Sequence, residues 1–156
     1  MTKEKNKMSG NKNIGRRENR IAVMQFLYMR DVNKGLSTQD ALDSFFSTKE
    51  NPREFYAFAE ELIAGVESRI DEVDAVIEKS ATNWSKDRIA RVDLAILRLA
   101  IFELLFREDI PPVVSINEAI DLAKEFSSTE ARKFVNGVLD NVKGTLKRPL
   151  RTANKK

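Results

Sequence analysis

The segment Ile89–Arg107 is apolar on nearly every side of the helix it would form. A helix without a polar face has to be surrounded by other elements, so the rest of the chain must supply partners that wrap it. Within it Leu94–Phe106 is the most apolar stretch, but Arg98 and Glu103 interrupt it and it is too short to span a bilayer. Asp109-Ile110-Pro111-Pro112 must end the helix, because a proline disfavours helical backbone in the residue before it.

The flanking sequence supplies the partners. Ile21, Met24 and Tyr28, with Val23 and Leu27, fall at helical spacing in a segment expected to start near Gly15–Arg17 and run to about Asp31. Ser37 and Asp40 form a capping pair ahead of Ala41, Leu42, Phe45 and Phe46. Asn51-Pro52 reads as a start signal for the run from Phe55 to Val66, which continues through Ile70 to Ile77 either as one long helix or as two broken near Gly65–Ser68. Asn83, Trp84 and Ser85 lie in a polar break. Ser115 with Glu118, and Ser127 with Glu130, predict capping boxes for two further helices, and Gly144 stands where a C-terminal cap is expected. The chain holds only 6 Gly and 4 Pro, too few for the turns of a β-sandwich or barrel. The expected fold is all-α, with six or seven helices and no strand.

Composition narrows the chemistry. Cys and His are both absent, which removes disulfides, thiol nucleophiles, the usual zinc ligands and the commonest neutral-pH acid–base group. No catalytic residue, metal or cofactor is implied. The first twenty residues lack the apolar core of a secretory signal, so the expected location is cytoplasmic, with no membrane association.

Charge is unevenly placed. Residues 1–20 carry seven Lys or Arg and two Glu, and residues 141–156 carry six Lys or Arg and no acid. Residues 21–140 hold 14 basic and 22 acidic residues, a net of −8. Basic ends on an acidic body suit two partners of opposite charge, although solvated tails would give the same pattern.

Several separated strings then stand in a recognisable order. Ile116–Ile120, Leu122–Lys124 and Phe126 give INEAI-x-LAK-x-F, and Lys133–Asp140 gives KFVNGVLD. Arg91–Leu104 precedes them, and Arg16-Arg17 leads to Gln25-Phe26-Leu27-Tyr28 at the other end. Over roughly 16–145 the chain resembles the NusB family. That resemblance implies two small three-helix-type subdomains packed together. It also implies binding of single-stranded boxA-like nascent RNA together with a small-subunit ribosomal protein, the one numbered ten. The pair would serve the RNA polymerase antitermination complex during transcription of ribosomal RNA operons. Residues 1–13 are read as a disordered basic tail and 14–145 as one helical domain, with subdomains at about 14–82 and 83–145. Residues 146–156 are read as a second basic disordered tail. Some family members form homodimers, and the sequence leaves monomer and homodimer open.

Site residues follow from the same resemblance. Arg16, Arg17 and Arg20 would neutralise phosphates, although spacing alone favours solvated polar positions. Tyr28 and Phe134 would stack on unpaired bases, the alternative being a half-buried place completing the helix face for Tyr28 and a place in the core for Phe134. Lys133 would reach phosphate, and Glu130 lies where the family places an acid near RNA. Asp93 and Arg98, charges on the apolar helix, are read either as an internal ion pair or as the border of the ribosomal-protein interface. Two positions depart from the family: Glu18 replaces a third arginine, and Ser127 replaces a common glycine. A NusB-like domain also precedes some ribosomal RNA methyltransferases, which makes a structural RNA-binding domain of that kind the alternative. No G-x-G-x-x-G loop is present to hold a methyl donor.

Overall fold

The computed structural model describes residues 2–82 and 85–153, with side chains from Gly15 onward. Asn83 and Trp84 of the expected polar break lie outside the described residues. Seven α-helices and no strand occur among the described residues: α1 Thr2–Val32, α2 Thr38–Ser47, α3 Ala57–Ser68, α4 Ile70–Ser80, α5 Arg91–Phe106, α6 Pro112–Phe126 and α7 Thr129–Lys143. None of these helices is long and apolar enough to cross a membrane. The long periodic run after Pro52 is therefore two helices, with the break at Arg69.

Contacts group the chain into two compact units, 1–63 and 64–156. The division falls within α3, before the expected boundary at 82/83. The reason is α4, which packs on α5 and α7 and so joins the second unit.

In the first unit α1 packs against α2 and against a 3-10 turn at Arg53–Tyr56. Phe26, Phe45, Phe46, Tyr56 and Phe55 form a continuous chain of rings, with successive centroids 5.0–5.5 Å apart. Edge-on contacts of this kind exceed simple area burial by about 0.5–1.5 kcal/mol per pair. The helical backbone of α1 begins at Thr2, where a tail was expected; no proline interrupts residues 2–14, so nothing in the sequence forces a later start. Ser37 caps α2 as expected, its Oγ accepting from the Asp40 N–H at 3.1 Å.

The Asn51-Pro52 start signal works differently from the expectation. Pro52 precedes the 3-10 turn and α3 starts only at Ala57. The α3 donor is met from far along the chain: buried Asn19 on α1 accepts from the Ala59 N–H at 2.8 Å.

In the second unit α5 is the central element, packed on α4, α6 and α7, and Leu94–Leu97 and Leu99–Phe102 are all buried. α6 opens with Pro112 at its start, and Ser115 lies inside the helix, not at its cap. The Ser115 hydroxyl instead donates to the buried Glu103 carboxylate at 2.7 Å, a partner that no local pattern could name. The second capping box is shifted by one: Ser128, not Ser127, caps α7, accepting from the Ala131 N–H at 3.0 Å. Gly144 does close α7, with ordinary right-handed helical torsions.

Residues 146–153 are anchored, in contrast to the expected tail. The Arg148 guanidinium donates to the carbonyls of Ile110 at 2.8 Å, Leu104 at 3.1 Å, and Glu103 and Glu108 at 3.3 Å. The Val113 N–H donates to the Leu150 carbonyl at 2.9 Å. The Leu104 carbonyl, in the last turn of α5 where carbonyls lack a partner within the helix, is met in this way.

Candidate nucleic-acid interface

The expected site residues fall into two groups, one in each unit. On α1, Arg16 is half-buried with its guanidinium 4.5 Å above the Phe58 ring. Arg20, one turn on, is 2% exposed, with its guanidinium 5.3 Å from the same ring. The two arginines are i and i+4 on one helix face, and that face is turned inward onto Phe58. Arg20 is thus part of the interior. Arg17 is rotated away from them and is exposed, as is Glu18.

Tyr28 lies eleven residues beyond Arg17, close to three full turns, so the two start from the same side of α1. Tyr28 is 42% exposed; Met24, between them on that side, is buried. Val32 and Leu36 extend the exposed apolar surface beyond Tyr28.

In the second unit, the first turns of α7 present Glu130, Lys133 and Phe134. Glu130 is exposed in the first turn, where a negative charge suits the helix dipole, and Lys133 is exposed one turn later. Phe134 is half-buried and its ring lines a cavity of about 240 Å³. The same cavity is lined by Glu130, Ser128 and Ala131 from α7 and by Arg88, Ile89, Ala90 and Asp93 at the start of α5.

Asp93 and Arg98 do not pair with each other. Arg98 is held by Asp74 of α4 in a two-pronged ion pair, both bonds 2.9 Å, and Lys86 reaches the same carboxylate at 3.4 Å. The internal ion-pair reading therefore holds for Arg98, with Asp74 as the partner. Asp93 is 7% exposed. Burial pushes its carboxyl above the ordinary carboxylate value, and a hydrogen bond from Ser127 works against that rise. Its Oδ1 has no hydrogen-bond partner among the described residues.

Asp93 thus lines the same cavity as Glu130 and Phe134. Arg88, Ser127 and Ser128 belong to this place and were missed. Ser127 stands out in the sequence only as a cap candidate and as a replaced glycine, Arg88 carries no signal there, and Ser128 is the alternative cap one residue along.

The described residues make an all-helical protein with exposed cations on α1 (Arg17) and α7 (Lys133) and an exposed ring at Tyr28, surfaces suited to binding. A family model for NusB matches residues 17–144, and the chain belongs to the NusB family. It is 44% identical over 138 residues to the transcription antitermination protein NusB of Geobacter sp. (strain M21), covering 84% of this chain and 95% of that one. It is 46% identical to the NusB of Myxococcus xanthus (strain DK1622), covering 86% and 98%. Among solved structures, T. maritima NusB is similar at a TM-score of 0.75 and 31% identity, over 89% of this chain and 93% of that one. A structure of the antitermination factors NusB and NusE in complex with dsRNA contains a chain similar at 0.74 and 28% identity, over 85% and 98%.

Proposed function

We propose that this chain is a cytoplasmic transcription antitermination factor. It binds boxA-type nascent RNA together with the small-subunit ribosomal protein numbered ten and favours elongation through ribosomal RNA operons as part of the RNA polymerase antitermination complex. It is an RNA-binding regulator, not an enzyme. The observation that carries this reading is the likeness, over nearly the whole of the matched chain, to a NusB solved with NusE and dsRNA. The names of the curated relatives agree with it.

The residues assigned to RNA are Arg16, Arg17 and Tyr28 on α1, and Glu130, Lys133 and Phe134 on α7. Arg17 and Lys133 are exposed cations suited to phosphate, and Tyr28 is an exposed ring suited to an unpaired base. Arg16 can reach phosphate only from its position over Phe58. The ribosomal protein is assigned to the acidic body, since residues 21–140 carry a net of −8 and such partners are basic.

The test is a titration of labelled boxA RNA and a scrambled control, each with and without the ribosomal protein. The expected result is a preference for boxA that strengthens when the protein partner is present. Equal affinity for boxA and scrambled RNA under both conditions overturns the reading.

A further inference from the structure

The segment after α7 makes a second surface in the second unit. Residues 143–151 hold the cations Lys143, Lys147, Arg148 and Arg151 and no acid. Arg148 ties this segment to the end of α5, and the Leu150 carbonyl ties it to the start of α6 through the Val113 N–H at 2.9 Å. Leu150 itself and Val114, next in sequence to Val113, are left exposed. Between the segment and the last turn of α5 lies a groove of about 250 Å³. Its lining includes Leu104, Leu105 and Leu146, with Glu108, Lys147 and Arg148 as the charged part. From Asp93 to Leu105 α5 rises about 18 Å, so this groove and the start of α7 lie at opposite ends of the unit.

The charges are not all spent within the chain. Glu108 is offset by its attraction to Arg148, and Lys143 pairs with Asp140 at 3.4 Å. Lys147 and Arg151 are exposed and have neither a hydrogen-bond nor an ion-pair partner among the described residues. Arg148 uses Nη1 and Nη2 on backbone carbonyls, but its Nε is buried without an acceptor among the described residues. A buried donor is costly to leave unmet. The surface therefore calls for negative charge, an acceptor and apolar area together.

Three occupants can be compared on that basis. The groove is smaller than the roughly 300–1,000 Å³ of small-molecule sites, and suits a side chain or two of a docked chain. RNA fits poorly: neither the lining nor residues 143–151 hold an aromatic ring on which an unpaired base could stack, and phosphates make no use of Leu150 and Val114. A basic protein is repelled by Lys147 and Arg151.

We propose that this surface docks an acidic segment of a protein, with an aliphatic side chain against Leu105, Leu146 and Leu150 and with Asp or Glu carboxylates at Lys147, Arg151 and the Arg148 Nε. The partner is neither the RNA nor the basic ribosomal protein, and the inference stands apart from the RNA-binding reading. It gives the second unit a protein-docking end opposite the end that carries Asp93 and Phe134.

The experiment is a proton–nitrogen NMR titration of the intact chain with a synthetic peptide that carries paired leucines between runs of Asp and Glu. A control peptide has Asn and Gln in place of the acids. The amide signals of Leu105, Val114 and residues 146–151 are expected to move saturably with the acidic peptide, while those around Asp93 and Phe134 stay in place. The control peptide should bind more weakly. Lys147→Glu combined with Arg151→Glu should weaken the acidic peptide about 10-fold, since two exposed pairs are lost and replaced by repulsion. Leu150→Ser should weaken it too. Melting temperatures should hold in these variants, because the altered side chains are exposed. Saturating boxA RNA should leave the peptide bound. No saturable movement on this surface, or equal affinity for the two peptides, overturns the proposal. Displacement of the peptide by boxA RNA, with weakened RNA binding in the charge-reversed variant, also overturns it and assigns the surface to RNA. Displacement by the ribosomal protein overturns it in favour of that protein.

Discussion

The Asn19 side chain of α1 supplies the hydrogen bond that the Ala59 N–H in the first turn of α3 cannot find within its own helix, at 2.8 Å. Its Nδ2 donates to the carbonyls of Gly15 at 2.7 Å and Phe55 at 3.0 Å, so both ends of the amide are used. Asn19 is 2% exposed. Asn19→Ala leaves the Ala59 donor and the Phe55 carbonyl unmet in a dry place and should cost about 2–3 kcal/mol. Asn19→Asp keeps the acceptor but turns an oxygen toward two carbonyls, and should also destabilise. Urea unfolding of the three chains measures both; a loss under about 0.5 kcal/mol in Asn19→Ala would show that water replaces the bonds.

How far the sequence reached depends on the range of the interaction. The central role of α5 was legible because a helix apolar on all sides has one solution. The Ser37 cap was legible because both partners lie within four residues. The start of α3 was not, since its capping residue lies 40 positions away. Ser115 failed as a cap for the same reason: its actual partner, Glu103, sits on a neighbouring helix. At the candidate site, motif order named Tyr28, Glu130 and Phe134 as candidates. Motif order could not separate Arg17, which is exposed, from Arg20, which is buried on Phe58, because the deciding contact belongs to α3.

Gly65 reverses a usual rule. Alanine in place of glycine inside a helix ordinarily stabilises by about 1 kcal/mol. A Cβ at Gly65 would run into the ring of Phe102, which is itself buried. The ring has no open space to retreat into, and overpacking of this kind costs about 1–3 kcal/mol. Gly65→Ala should therefore lower the melting temperature. The double variant Gly65→Ala, Phe102→Leu should recover part of the loss. A higher melting temperature for Gly65→Ala alone would contradict this packing.

Arg148 holds the end of α5 and the segment after it through four backbone carbonyls, Glu103 and Leu104 in the helix and Glu108 and Ile110 beyond it. Burial lowers its pKa, yet an arginine stays charged throughout the accessible range. Arg148→Ala should cost about 1–2 kcal/mol, the usual range for lost bonds from a partly exposed charged donor. Arg148→Lys should restore only part, because a single ammonium cannot span the carbonyls that the flat guanidinium reaches. Amide hydrogen exchange should quicken at Val113, whose N–H donates to the Leu150 carbonyl on the same segment. Unaltered exchange there in Arg148→Ala would mean that Leu150 anchors the segment alone.

The arginines of α1 should separate by what they do. Arg17→Ala should weaken single-stranded RNAs of any sequence alike and flatten the dependence of log affinity on log salt by about 0.7 or less, the contribution of one phosphate contact. Arg20→Ala should chiefly lower the melting temperature, since its guanidinium is buried against Phe58. Tyr28→Ala should lose more affinity on boxA than on scrambled RNA. A flattened salt slope in Arg20→Ala, with its melting temperature unaltered, would place that side chain on RNA after all.

Asp93 should leave a pH signature on stability. Burial raises its carboxyl pKa in the folded chain, with the Ser127 hydrogen bond opposing. Between the ordinary value of 3.8 and the raised one, the folded state keeps a proton that the unfolded chain has released. Stability contributed by this group is therefore complete below the ordinary value and falls as pH rises through the raised value; above that, the loss is constant. Asp93→Asn removes the titration while keeping a similar shape. Its stability relative to the unaltered chain should rise across the carboxylate range and level off toward neutral pH. Denaturation midpoints of both chains from about pH 3 to pH 8 give that difference directly. The other carboxylates act on both chains and cancel. A difference that does not vary with pH would mean that Asp93 is ionised in the folded chain as easily as in the unfolded one, and one that declines as pH rises would mean that it is ionised more easily.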